Sequence, residues 1–258
     1  MAKEEPLLQA IDLGKSLLSE QGEEAEIIRS VSFTLRKGEI VSLVGPSGCG
    51  KTTLLNLLCQ IIEPTRGSVL WRGRESGGVP AELGYMLQKD LLLPWRTALE
   101  NVMLGLEIQG GSKAGQRARA QALLDQLGLG AFARHYPSIL SGGMRQRVAL
   151  ARTLAPNPDI LLFDEPFSAL DFQTKILIER DTLQLVRKLD RSLLLITHDV
   201  EEAVSLSDRV IVLSRRPSTI ISEHLIDLPS DRSNLIALRE TPGFASYVRR
   251  IWTELDIQ

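Results

Sequence analysis

The run EIVSLVGPSGCGKTTLLNLL, residues 39–58, constrains the fold of this 258-residue chain more than any other stretch. It opens as a short apolar strand and closes as a helix, and the glycines between must turn the chain sharply from one to the other. Gly45–Thr52 fits G-x-x-x-x-G-K-[ST] in the strand-before, helix-after context that this spacing needs. Glycines let backbone N–H groups turn inward, and the helix start adds its positive end, so such a turn cradles phosphate oxygens. Lys51 is placed to reach β- and γ-phosphates and Thr52 to ligate Mg²⁺, with Ser47, Gly48, Gly50 and Thr53 lining the cradle.

Four further apolar runs read as buried strands: LGYML (83–87), DILLFDE (159–165), SLLLITHD (192–199) and DRVIVLS (208–214). Amphipathic helical segments alternate with them, the pattern of a mostly parallel sheet covered on both faces. IIRSVSFTL (27–35) and GSVLWRG (67–73) look instead like antiparallel hairpins beside it. Between Gln88 and Pro158 strand signals vanish; KAGQRARAQALLDQLGL and LSGGMRQRVALARTLA read as helix, ended by Pro156 and Pro158. The expected fold is α/β: a P-loop NTPase core (1–88 and 158–230) with a small antiparallel β layer, and an inserted helical subdomain (89–157). A late strand within TIISEHLIDL and a helical tail (231–258), broken at Pro242-Gly243, complete it. GGSKAG at 110–115 reads as a linker.

A net charge of −2 without a long Lys/Arg run argues against a protein that works mainly by gripping nucleic acid backbone. Two cysteines, Cys49 and Cys59, make no disulfide framework and fit small semi-buried thiols in a reducing compartment. MAKEEPLLQAIDLGKS lacks an apolar core of leader length, so no export is expected. The most apolar helical stretch, Thr52–Ile62, would span about 16 Å against roughly 30 Å of bilayer hydrocarbon. Any service to a membrane must go through a partner.

ILLFDEP (160–166) ends a strand with adjacent carboxylates, and neighbours on a strand point to opposite sides. Asp164 is the expected Mg²⁺-side acid, and Glu165 can orient or deprotonate a water attacking a γ-phosphate. Alone, such a strand end is an ordinary solvated turn; behind a phosphate loop it is not. His198 ends the run LLLIT, at the strand edge where open α/β sheets meet ligands, and can hydrogen-bond a γ-phosphate. His135 and His224 read as structural. Gln88 ends a strand at the same edge, where its neutral amide can sense Mg²⁺ or the lytic water.

Ser141, Gly142 and Gly143 form a second glycine turn. Ser141 is a good N-cap, and the following helix puts Met144, Val148, Ala151 and Leu154 on one apolar stripe and Arg145 and Arg152 on another face. This turn has neither lysine nor metal-binding hydroxyl, so it can contact a nucleotide but is poorly equipped to hold one alone. Ser76-Gly77-Gly78 repeats the tripeptide with no helix behind it and reads as a loop.

Taken in order, GPSGCGKTT, Gln88, LSGGMRQR, ILLFDEP, SALD (168–171) and His198 resemble the nucleotide-binding subunit of ABC transporters over nearly the whole chain. The resemblance implies an ATPase that forms a head-to-tail dimer with two ATP molecules between the copies. One copy would bind ATP through Gly45, Pro46, Ser47, Gly48, Cys49, Gly50, Lys51, Thr52 and Thr53, with Mg²⁺ at Thr52, Gln88 and Asp164, and Glu165, His198 and Gln88 catalytic. The other would offer Ser141, Gly142 and Gly143, with Asp171 across the same interface. KDLLLPWRTALENV, after Gln88, would help form a groove for a permease subunit. LLPWRTALENV, THDVEEAV and VIVLSRRPSTIISEHLIDLP are similar to the importer branch for nitrate, sulfonate, taurine and related solutes. That implies integral-membrane permease partners, an extracytoplasmic solute-binding protein acting indirectly, no nucleic acid, and a peripheral place on the cytoplasmic face of a bacterial inner membrane. The competing readings are a soluble ABC-type ATPase not linked to transport and a regulatory module that binds ATP without turnover. One departure stands out: where the family carries an N-terminal aromatic that stacks on adenine, GKSLLSEQG offers Leu17 or Leu18, which predicts weaker base discrimination or a compensating contact.

Overall fold

The computed structural model describes residues 6–18, 24–229 and 232–256. In chain order the elements are β1 (Leu8–Leu18), β2 (Glu24–Leu35), β3 (Ile40–Val44), α1 (Lys51–Leu58), β4 (Arg66–Trp71), β5 (Leu83–Met86), α2 (Ala98–Gln109), α3 (Lys113–Gln126) and α4 (Gly142–Leu154). There follow β6 (Ile160–Asp164), α5 (Phe172–Lys188), β7 (Ser192–Thr197), α6 (Val200–Leu206), β8 (Arg209–Leu213), β9 (Ser218–Leu225), α7 (Leu235–Arg239) and α8 (Pro242–Asp256). The strands form one sheet in the order β4-β1-β2-β9-β8-β3-β7-β6-β5. β8, β3, β7, β6 and β5 run parallel, while β1 lies antiparallel to both its neighbours, β4 and β2. β9 joins the two regions, parallel to β2 and antiparallel to β8. The small antiparallel layer is therefore continuous with the main sheet.

The parallel strands are buried at every residue of β3, β6, β7 and β8, which is why they read as unbroken apolar runs. Alternate side chains serve two cores. Leu161 and Phe163 of β6 and Leu193 and Leu195 of β7 pack with the helices α4, α5, α6 and α8. Ile160, Leu162, Leu194 and Ile196 face the other way, meeting Leu54, Leu55, Leu57 and Leu58 of α1 and Leu8, Leu13, Ile28 and Val31 of the antiparallel strands. α1 is thus enclosed between the two halves of the sheet, and the loop before it is held by both.

The helices α2, α3 and α4 follow β5 and precede β6, with no strand among residues 89–157. The GGSKAG stretch is less a linker than a cap: Gly110 and Gly111 take positive φ and Ser112 accepts the Gly115 N–H to begin α3. Pro242 opens α8, so the break in the tail separates two helices, and Leu235, Leu238, Phe244 and Ile251 carry both into the larger core. β1 is not legible in the sequence as a strand. Its register against β2 shifts between Ala10 and Leu13, with Asp12 at φ 47, and that bulge breaks the alternation a strand shows in sequence.

Candidate functional site

The phosphate loop sits between β3 and α1. Gly48 and Gly50 hold φ 78 and φ 111, and α1 begins with no side chain capping its first N–H groups. Those donors are left for an anionic ligand. Lys51 is buried inside the loop, its ammonium donating to Gly45 O at 2.8 Å and Pro46 O at 3.0 Å. Two contacts outside the motif shape the loop: a side chain at Gly50 would meet Ile27 Cγ2 at 3.0 Å, and Ser218 Oγ donates to the Cys49 carbonyl oxygen. Neither was legible from sequence, because they cross from the loop to β2 and β9. Cys49 and Cys59 are both free and buried, more deeply than the semi-buried thiols expected, and burial pushes the Cys59 thiol up to about 12.

Asp164 ends β6 opposite Thr52, whose hydroxyl donates to Asp164 Oδ2 at 3.1 Å. Burial raises the Asp164 carboxyl above its usual range; the Thr52 bond and Lys51 oppose this and Glu165 adds to it. Glu165 departs from the expectation that strand alternation parts the two carboxylates. β6 stops at Asp164, and Glu165 takes a left-handed φ of 46, a conformation that costs a non-glycine residue roughly 1–3 kcal/mol. Its N–H donates to Ile196 O at 2.9 Å, and Ser168 Oγ donates to its carbonyl at 2.9 Å. That clamp turns the carboxylate towards the neighbouring strand ends.

There it meets the other two predicted residues. His198 Nδ1 lies 3.0 Å from Glu165 Oε2, and Gln88 Nε2 donates to the same oxygen and to Ser168 Oγ, each at 3.4 Å. Three strand ends, β5, β6 and β7, thus deliver one amide, one carboxylate and one imidazole to a single point. An open cleft of about 710 Å³ lies over them, lined also by Gly142, Arg145 and Gln146 of α4. Ser168 is the member that sequence reasoning quoted within SALD but gave no role.

The second glycine turn stands apart from the first. Ser141 caps α4 by accepting the Met144 N–H at 3.3 Å, and Asp171 caps α5 by accepting the Thr174 N–H at 3.1 Å. The two caps are neighbours, since a side chain at Gly143 would meet Thr174 Cγ2 at 2.6 Å. Among the described residues no hydrogen bond joins Ser141–Gly143 to the Gly45–Thr53 loop. Val148, Ala151 and Leu154 are buried, and Met144 packs against them. Arg145 and Arg152 share a face, as read, and grip the segment after Gln88: Arg145 Nε donates to Asp90 Oδ2 at 3.0 Å and Arg152 Nη1 to Leu91 O at 2.8 Å. Ser76–Gly78 is a loop, and His135 and His224 lie away from the site. Leu17 is half exposed on β1; the side chain of Leu18 lies outside the described residues.

Known proteins are similar to this chain in sequence and in fold. The profile described as ABC transporter matches residues 28–168. The chain is 44% identical over 236 residues to the Bacillus subtilis "Uncharacterized ABC transporter ATP-binding protein YtlC", covering 91% of this chain and 90% of that one. It is 41% identical to the Synechocystis "Nitrate import ATP-binding protein NrtD" (93% and 91% covered) and 43% identical to the Pseudomonas aeruginosa "Taurine import ATP-binding protein TauB" (86% and 83%). Its structure superposes on the dimeric ATP-binding cassette MJ0796 bound to ADP and Pi, with a TM-score of 0.74 at 31% identity, over 85% of this chain and 98% of that one. The chain belongs to the ABC transporter ATP-binding family, which binds and hydrolyses ATP. None of the helices among the described residues is long and apolar enough to cross a membrane.

Proposed function

We propose that this chain is the ATP-hydrolysing subunit of an importer for nitrate, a sulfonate, taurine or a similar small solute. It works as a head-to-tail pair of copies that closes on two ATP molecules and drives a membrane permease. The observation that carries the reading is the meeting of Gln88, Glu165 and His198 at adjacent strand ends, beside the Thr52–Asp164 pair. Similarity to nitrate and taurine import proteins supports the solute class.

In this reading Gly45–Thr53 holds the phosphates, with the Lys51 ammonium reaching the β- and γ-oxygens. Thr52, Asp164 and Gln88 offer oxygen donors, a set that fits Mg²⁺, which takes few protein oxygens and keeps the rest for water and phosphate. Bound there, Mg²⁺ would neutralise charge building on the γ-phosphate. Glu165 orients the attacking water and accepts its proton, and His198 holds Glu165 and the γ-phosphate in register. Ser141, Gly142, Gly143 and Asp171 serve the partner copy's nucleotide, the role their separation from Lys51 leaves them. The core (1–88 and 158–230) grips ATP, while the 89–157 insertion presents the second turn and receives the permease. Leu91 and Trp95, 53% and 70% exposed on the segment after Gln88, suit that receiving surface. The subunit then sits on the cytoplasmic face of a bacterial membrane through the permease and meets the solute-binding protein only indirectly.

Steady-state phosphate release tests the reading. Glu165→Gln is expected to bind ATP and dimerise without turnover, and Lys51→Ala to lose binding. Rapid hydrolysis by Glu165→Gln would sink the assignment.

A further inference from the structure

Behind His198, five charged side chains from α5, the start of α6 and α7 come together in the core. Lys175 Nζ lies 2.7 Å from Asp199 Oδ2, 2.7 Å from Glu202 Oε2 and 3.8 Å from Glu179 Oε1. Glu179 and Glu202 are 0% and 1% exposed, and in each Oε1 has no hydrogen-bond partner. Arg239, from the C-terminal tail, closes the group: Nη2 donates to Glu179 Oε2 at 2.7 Å and Nε to Ser205 Oγ at 3.0 Å, with Nη1 3.8 Å from Glu201 Oε2. Arg232 adds bonds from Nη1 to the carbonyls of Ser205 and Ser207 at the end of α6.

Glu179, Asp199 and Glu202, with the exposed Glu201 at the rim, thus share two cations in a place where an unpaired ion costs several kcal/mol. Burial first, then Glu202, pushes Glu179 up to about 7 even with Arg239 and Lys175 beside it, so the group has no cation to spare. If Arg239 is lost, the nearest replacement is Lys175, already 3.8 Å from Glu179. Moving there takes it from Asp199, the residue after His198. Asp199 also caps α6 by accepting the Glu202 N–H at 3.1 Å, and its own N–H donates to Thr197 Oγ1 at 3.0 Å. The His198 side chain is 54% exposed, so no surrounding wall fixes it. Its anchored backbone does.

We propose that Arg239 is a positioning residue for ATP hydrolysis: from the tail it keeps Lys175 on Asp199, and so keeps His198 on Glu165. This rests on the reading of His198 as part of the hydrolytic site.

The test compares Arg239→Met, Arg239→Met/Glu179→Gln and His198→Ala in the full chain by kcat, KM for ATP and imidazole NMR, where three histidines make assignment simple. Arg239→Met is expected to lower kcat about tenfold, within the range of couplings carried through side-chain networks, with KM unchanged. The His198 resonance moves and that of His135 does not. Adding Glu179→Gln removes the carboxylate that competes for Lys175 and restores kcat to within about threefold. A wild-type kcat in Arg239→Met beside an impaired His198→Ala overturns the proposal, as does a failure of Glu179→Gln to restore turnover. If His198→Ala itself turns over normally, the role given to His198 falls, while the resonance still reports whether Arg239 holds it. Should Arg239→Met not fold, Arg239→Gln removes the cation and keeps amide donors for Glu179 and Ser205; a wild-type kcat with an unmoved His198 resonance overturns the idea equally.

Discussion

Adjacent glycines in the second turn should answer the same substitution with opposite signs. A Cβ at Gly143 falls 2.6 Å from Thr174 Cγ2 and 3.2 Å from Ile178 Cδ1. Carbon atoms prefer about 3.5–4.0 Å, so the overlap with Thr174 is about 1 Å. Thr174 is β-branched and stiff, and its N–H is the one that Asp171 caps, at 3.1 Å. Relief therefore has to move the start of α4 away from α5, an overpacking cost of about 1–3 kcal/mol. Alanine returns up to about 1 kcal/mol over glycine within a helix, leaving Gly143→Ala roughly 1–2 kcal/mol less stable. Gly142 is exposed, and its nearest neighbour, Arg145 Nη2, is 3.9 Å away, so Gly142→Ala meets no obstacle. At about 2–4 °C per kcal/mol for a chain of this size, Tm should fall by roughly 2–8 °C for Gly143→Ala and hold or rise by up to about 4 °C for Gly142→Ala. Circular-dichroism melts of the nucleotide-free subunit at pH 7 decide it. Equal melting temperatures, or a Gly143→Ala protein as stable as the wild type, would refute the seating of the second turn on the Asp171 helix.

Three further outcomes follow from the site. Ser141→Arg should leave ATP binding by the isolated subunit largely intact and abolish closure and turnover; an ATP-dependent dimer in sedimentation would end the half-site reading. Because burial raises Asp164, the folded chain holds that proton more tightly than the unfolded one, and stability is lost as pH rises from the ordinary carboxylate value of about 4 through the raised value. Asp164→Asn, which can still accept from Thr52, should therefore melt higher than wild type at pH 7 without Mg²⁺ and lose that advantage below about pH 4, although it disables turnover; a variant equally destabilised at both pH values contradicts this. Leu17→Tyr should tighten ATP binding by up to about 1–3 kcal/mol through base stacking, read by nucleotide titration. Strong preference of the wild type for ATP over GTP, with no gain from tyrosine, would show that adenine is held by other means.

What the sequence made legible was whatever repeats locally. β3, β6, β7 and β8 are buried on both faces, so they stand out as apolar runs, and the glycine loop carries its own spacing. β1 hid behind its bulge at Asp12. α2 carried an unused signature, the Thr97–Glu100 capping box. The site residues were identifiable because strand ends deliver them, but the way Glu165 reaches Gln88 and His198 was not. Alternation along a strand predicts a side chain pointing away from Asp164; only the left-handed turn after β6, clamped by Ile196 O and Ser168 Oγ, shows how the carboxylate is aimed. Ser218 on the phosphate loop and Arg239 behind His198 lie 169 and 60 positions from their partners, Cys49 and Glu179, and no local pattern announces contacts at that range.

The two glycine turns differ in a way that fits the proposal of one complete site and one half-site. At α1 no side chain caps the helix, so the first N–H groups stay available to a ligand and Lys51 supplies a buried charge beside them. At α4 the Ser141 hydroxyl oxygen already accepts the Met144 N–H, which satisfies part of the helix end internally and leaves its O–H as the remaining donor. A helix end so capped retains only a fraction of the anion-binding capacity of an open one, and the cation of its first turn, Arg145, is engaged by Asp90 at 3.0 Å. It can add to a phosphate held by a stronger site yet cannot hold one itself. In the proposed pairing of copies, ATP bound at one copy's Lys51 loop would gain from a second copy's Ser141, whereas Ser141 alone would gain nothing, and that inequality would make closure of the pair depend on ATP.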